Sequence, residues 1–155
     1  MRPEELREEI AIELELMDAT VQELLALQRD AAERELTTRE KTAAAAFLAQ
    51  FYNGVENIFK RISRFHAIPL PTGATWHVDL FKRFCFPPQE PLPALLDDPL
   101  ASALAPFRKF RHVVHHGYSF QLEWNYMAEG IASVEDVFLR FKSRLFGYLR
   151  TLEPH

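Results

Sequence analysis

One cysteine, Cys85, is all that 155 residues contain. No disulfide can close within the chain, and no second thiol stands at metal-ligand spacing from it, so a reducing cytoplasm is the expected location. Long hydrophobic runs are missing as well. No apolar stretch approaches the ~20 residues that span a bilayer. The opening M-R-P-E-E-L-R-E-E-I is acidic from its fourth residue and lacks the apolar segment of a signal peptide, so neither a signal nor a membrane partner is expected. Strand-like alternation nowhere persists, which leaves helices to build the core. With no internal repeat, low-complexity tract or linker, residues 1–155 read as a single domain. Net positive charge is also missing: the net charge is −4, which on its face argues against a nucleic-acid partner.

The distribution of charge points the other way. Residues 1–23 carry eight acids (Glu4, Glu5, Glu8, Glu9, Glu13, Glu15, Asp18, Glu23) against Arg2 and Arg7, a net of −6, so the rest of the chain is at +2. A local basic patch can hold phosphate in an acidic chain, and the acidic block itself is expected to solvate a helix face or to meet a basic partner. What the chain has in quantity is apolar mass, 48% hydrophobic residues with 13 Phe, enough for one sizeable core.

Leu6, Ile10, Leu14, Met17, Val21, Leu24 and Gln28 recur at three- and four-residue spacing, predicting an amphipathic helix from about Pro3 to about Glu33. Thr37 with Glu40 forms a capping-box pattern that starts a second helix. Its stripe runs Ala43, Ala44, Phe47, Phe51, Val55, Ile58, Ile62, Phe65, with Tyr52 and Glu56 beside it. Gly54 is costly inside a helix, and a tight helix crossing is its simplest explanation. Pro69 and Pro71 end that helix. Trp76 to Phe84 reads as a short helix with Trp76, Leu80, Phe81 and Phe84 inward, and Phe86 to Pro93, holding four prolines, as a loop. Asp98-Pro99 opens the next helix, with Leu100, Leu104, Phe107, Phe110 and Val114 inward. Ser119 to Ile131 is the least periodic piece, with Trp124 and Tyr126 expected to cover the core. Ser133 with Asp136 is expected to cap a last helix carrying Val137, Phe141, Leu145 and Tyr148. The fold class is therefore all-α: four main helices and one short one in a bundle.

Chemistry concentrates in Phe107 to Tyr118, F-R-K-F-R-H-V-V-H-H-G-Y, where Arg108, Lys109, Arg111, His112, His115, His116 and Tyr118 fall within twelve residues. Arginine is a permanent fork of donors suited to phosphate oxygens, and histidine changes charge nearest physiological pH. Arg111 and His116 are five positions apart, about 140° round a helix axis. They meet only if the backbone bends, for which Gly117 is well placed, or if a second protomer supplies one of them. Brought together they suit RNA cleavage by internal transesterification. One imidazole takes the 2′-OH proton, another protonates the leaving 5′ oxygen, and arginine stabilises the phosphorane. No metal is needed for this, and no obvious carboxylate cluster exists to hold magnesium. Zinc is the competing reading, since His112 with His115 or His116 has ligand spacing. Val113 stands where the glutamate of H-E-x-x-H would be, and His77 or Glu123 would have to supply a distant third ligand. The structural alternatives are an ion pair from Arg111 to a glutamate of the first helix, a buried His116 on a backbone carbonyl, and a core Tyr118.

R-H-V-V-H-H-G-Y, Arg111 to Tyr118, resembles the R-x4-H-x-Y signature of HepT-type toxins in the HEPN superfamily, and F-Y-N-G-V-E-N-I-F-K-R-I resembles their second-helix segment. The resemblance implies an antiparallel HEPN bundle and a metal-independent endoribonuclease without cofactor. It also implies a homodimer whose Arg111 and His116 meet across the subunit cleft, acting on an RNA such as tRNA or mRNA. His112, His115, Arg108, Lys109 and Glu56 are auxiliary candidates, and His115 beside His116 leaves the choice of base open. A further implication is an MNT-type nucleotidyltransferase antitoxin that neutralises by transferring AMP to Tyr118. Some members of this superfamily are non-catalytic binding modules, so a helical partner of a nucleotidyltransferase is the alternative. The proline-rich stretch from Pro69 to Pro93 exceeds what a helix hairpin needs and is expected to alter dimer contact or substrate access.

Overall fold

The computed structural model describes residues 1–116 and 123–152. They form five helices: α1 (Pro3–Glu33), α2 (Thr38–Phe65), α3 (Trp76–Arg83), α4 (Asp98–His115) and α5 (Trp124–Arg150). The architecture is an all-helical bundle of four long helices and one short one, with α2 at the centre touching each of the others.

Local chemistry sets the boundaries. Pro3 opens α1, with Glu4 and Glu5 in the first turn where carboxylates favour the helix dipole. Leu6, Ile10, Leu14, Met17, Val21 and Leu24 are buried as their spacing requires, while Gln28 is exposed. Before α2, Thr37 Oγ1 accepts from Glu40 N at 3.2 Å and Glu40 Oε1 accepts from Thr37 N at 2.9 Å. At the other end, Ala67 takes a left-handed φ of 56°. Ala67 N then bonds Arg64 O at 3.0 Å and Ile68 N bonds Ser63 O at 2.9 Å. This paired closure ends the helix with an alanine in the place usually given to glycine.

Gly54 is explained by the α1–α2 crossing. A Cβ there would lie 2.4 Å from Met17 Cγ, far inside van der Waals contact. Part of the acidic block joins the same seam: Arg61 reaches Glu9 at 2.9 Å and Glu13 at 3.4 Å, and Asn57 donates to Glu13 at 3.3 Å. The acidic block therefore does more than solvate a helix face. Phenylalanines fill the centre. Phe51 meets Phe107 and Phe138 edge-on at 5.1 and 6.0 Å, and Phe59 stacks on Phe84 at 4.3 Å.

Between α3 and α4, the proline-rich loop is pinned by Leu96 N to Phe84 O and Phe86 N to Leu96 O, each 3.0 Å. Buried Leu92, Leu95 and Leu96 anchor it to the core, and Arg144 of α5 donates to the carbonyls of Ala94 and Leu95 at 2.6 and 3.1 Å. Asp97 caps α4 by accepting from Leu100 N at 2.9 Å, and the helix runs on through Pro106.

The last helix starts earlier than Ser133. It begins at Trp124, because Met127, Gly130 and Ile131 extend the buried stripe of Val134, Phe138, Phe141 and Leu145 by two turns. Ser133 therefore sits inside the helix, where its hydroxyl donates to Gly130 O at 3.1 Å instead of capping. Trp124 packs against the core as expected, but Tyr126 does not: it is 61% exposed. Among the described residues no helix is long and apolar enough to cross a membrane.

Candidate functional site

Asn53 and Glu56 lie three residues apart on α2 and so share a face. That face looks toward Arg111 on α4. Arg111 Nε is 2.7 Å from Asn53 Oδ1, to which it donates, and 2.8 Å from Glu56 Oε1. Glu56 is 2% exposed, which makes this a buried ion pair and not a surface contact. The other carboxylate oxygen, Oε2, is 2.8 Å from Nδ1 of His77 on α3, and Nε2 of the same imidazole is 3.2 Å from Arg111 Nη1. Trp76 backs the group: its ring centroid is 3.4 Å from that of His77 and 5.6 Å from Arg111 Cζ. Three helices thus converge on one guanidinium. The expected alternative partner for Arg111, a glutamate of α1, is replaced by Glu56 of α2.

The remaining members of the basic cluster separate by helical phase. His115, four residues after Arg111, shares its face. Partial desolvation, followed by the positive charge of Arg111, holds the His115 imidazole below the ordinary histidine pKa, favouring the neutral form that can accept a proton. His116 is the C-cap residue of α4, and its ring lies 4.3 Å from that of His112, edge to face. The helix is unbroken from Arg111 to His115, so no bend turns His116 toward Arg111 within one chain. Arg108 lies over the ring of Phe81 at 4.8 Å, and Lys109 is exposed. Tyr118 and Gly117 lie outside the described residues.

His77 is committed to Glu56 and Arg111, and among the described residues no group of three or more His, Cys, Asp or Glu is placed to hold a metal ion. The zinc reading therefore has a pair of histidines without a third ligand there.

Beside Trp76 a cleft of about 210 Å³ is lined by Lys60, Leu70, Pro71, Trp76 and Leu80. A larger one, about 360 Å³, lies between α1 and α5 and contains none of the groups around Arg111. Size therefore does not mark the chemistry; the convergence of charged and hydrogen-bonding groups does. Asn53 and Trp76 carry no mark of a site in the sequence alone. The one signal for Asn53 is its helical spacing from Glu56, while Trp76 has none beyond its place in the apolar face of α3.

No curated protein and no solved structure matches the chain. A family model described as HepT-like protein matches residues 43–152, from the first turns of α2 to the end of α5. That span takes in Asn53, Glu56, His77 and the whole of α4, and with it the chain belongs to the HepT-like family of the HEPN superfamily.

Proposed function

We propose that this protein is the toxin of a HEPN/MNT-type toxin–antitoxin pair, a metal-independent endoribonuclease. The observation that carries the reading is the guanidinium of Arg111, fixed at Nε by Asn53 and Glu56 and at Nη1 by His77, in a chain of this family. Among the described residues Nη2 makes no hydrogen bond, and this nitrogen is assigned to the substrate phosphate. A donor held in place before the substrate arrives stabilises developing phosphorane charge with little reorganisation.

In the proposed reaction an imidazole removes the proton from a ribose 2′-OH. The 2′ oxygen attacks phosphorus, the P–O5′ bond breaks, and a second imidazole delivers a proton to O5′. A 2′,3′-cyclic phosphate and a 5′-OH result. His115 lies on the Arg111 face of the same chain. His116, the motif histidine, lies off that face, and a homodimer in which one protomer's His116 meets its partner's Arg111 provides the second imidazole. Neutralisation is assigned to an MNT-type nucleotidyltransferase, with Tyr118 as the acceptor of AMP. An anionic nucleotide close to Arg111 would occupy its phosphate-binding edge.

The test is purified protein with total RNA in EDTA, alongside Arg111→Lys, His115→Ala and His116→Ala. Cleavage that leaves cyclic phosphate ends and is lost in Arg111→Lys supports the assignment. Wild-type protein that binds a nucleotidyltransferase stably and cleaves nothing overturns it in favour of a non-catalytic helical partner.

A further inference from the structure

We infer that His77 is a positioning residue for Arg111, acting as a neutral imidazole that carries its proton on Nδ1 and ties the guanidinium to Glu56. The inference rests on reading Arg111 as the phosphate-binding group. Hydrogen-bond logic assigns the tautomer. A guanidinium has only donors, so at 3.2 Å Arg111 Nη1 must donate to Nε2, which therefore carries a lone pair. A carboxylate has only acceptors, so at 2.8 Å Nδ1 must donate to Glu56 Oε2. One ring satisfies both conditions only in the neutral Nδ1–H form. The contact with Glu56 is accordingly a hydrogen bond and not a second ion pair.

Two consequences follow from both ring nitrogens being engaged. His77 cannot serve as the proton acceptor for a ribose hydroxyl without giving up one of its partners, so its contribution is orientation. Moreover, Asn53 and Glu56 hold Arg111 at Nε alone, about which the planar fork can still tilt; the bond from Nη1 to His77 adds a second point and fixes the plane. The imidazole is itself held from behind by the Trp76 ring, and the first turn of α3 is tied by Thr75 Oγ1 donating to Asp79 Oδ2 at 3.1 Å. The segment from Pro69 to Pro93 therefore supplies a wall of the site. It is not a spacer between the helices that carry the motif.

Three substitutions separate orientation from simple packing. His77→Gln carries an amide oxygen far enough out to accept from Arg111. His77→Asn retains a donor for Glu56 but falls short of Arg111, and His77→Ala keeps neither. If His77 positions the arginine, kcat on RNA falls by about 10- to 100-fold in His77→Asn and His77→Ala. KM changes less than kcat, and His77→Gln recovers most of the loss. Equal activity of His77→Gln and His77→Asn in folded protein overturns the assignment. A second measurement needs neither variant nor activity: ring ¹⁵N NMR of wild-type protein at neutral pH should show His77 protonated at Nδ1 and bare at Nε2. An Nε2–H tautomer, or a doubly protonated ring, overturns the inference even if RNA is cleaved. Wild-type protein that shows the Nδ1–H form and cleaves no RNA leaves His77 holding Arg111 and removes the ribonuclease reading instead.

Discussion

Glu56 Oε1 lies 2.8 Å from Nε of Arg111, with the two side chains 3% and 14% exposed. Removing one member of such a pair strands the other in a low-dielectric setting. Arg111→Ala or Glu56→Ala should therefore cost about 3–5 kcal/mol in unfolding by denaturant. The double replacement Glu56→Leu with Arg111→Met removes both charges together and should lie closer to wild type than either alanine variant. The pair would then owe its presence to the chemistry of the site, since stability alone does not require it. A double variant less stable than both single variants would refute this.

Gly54 gives a prediction of opposite character, in which adding an atom does the damage. Alanine gains about 1 kcal/mol of helix propensity over glycine. Its Cβ, however, would meet Met17 Cγ at 2.4 Å and Sδ at 2.7 Å, atoms too near the backbone of α1 to swing clear. Gly54→Ala should be net destabilising by about 1–3 kcal/mol. Combined with Met17→Ala it should cost less than the sum of the two changes, a coupling read directly from a double-mutant cycle.

Tyr52 has a buried hydroxyl with no hydrogen-bond partner among the described residues, and burial pushes its pKa well above the ordinary tyrosine value. The ring packs near Phe81, with centroids 6.5 Å apart. Deleting the hydroxyl removes a desolvated polar group while leaving the packing. Tyr52→Phe should match wild type or gain up to about 1 kcal/mol in thermal unfolding. A loss of several kcal/mol would mean that the hydroxyl has a partner after all.

The α1 and α2 stripes and the Thr37–Glu40 box are local matters, decided within one or two turns, and are legible in the sequence. The close approach at Gly54 is a contact with Met17 of another helix, signalled only by the cost of a glycine inside α2. Ser133 misleads because Ser-x-x-Asp has a cap pattern that takes no account of neighbouring turns. The buried Met127 and Ile131, which extend α5 backwards, outweigh it. Aromatic character alone places Tyr126 inward, whereas helical phase turns it to solvent. Glu56 stands out beside the α2 stripe, and Arg111 stands out in the cluster. Their meeting with His77, 34 residues before Arg111, depends on how α3 docks against α2 and α4, which no local spacing encodes. The edge-to-face contact of His112 with His116, leaving His115 on the Arg111 face, does follow from four-residue spacing once the helix is known to continue to His115.

His66 supplies a pH prediction away from the site. Its Nε2 lies 2.6 Å from the hydroxyl of Tyr148, and burial lowers its pKa below the ordinary histidine value. Burial raises that of Tyr148, so the tyrosine keeps its proton and donates to a neutral imidazole. As pH falls, the unfolded chain takes up a proton on His66 near its ordinary value of about 6.5, before the folded protein does. Stability is therefore complete above about 6.5 and declines as pH drops from there toward the depressed folded value. His115, shifted in the same direction, adds to the same decline. Urea unfolding between pH 7.5 and 5 should show ΔG falling toward acid, with the slope reduced in His66→Gln and reduced further when His115→Gln is added. A profile in which ΔG rises toward acid through this window, or in which His66→Gln leaves the slope unchanged, would show that His66 is not held neutral by its burial against Tyr148.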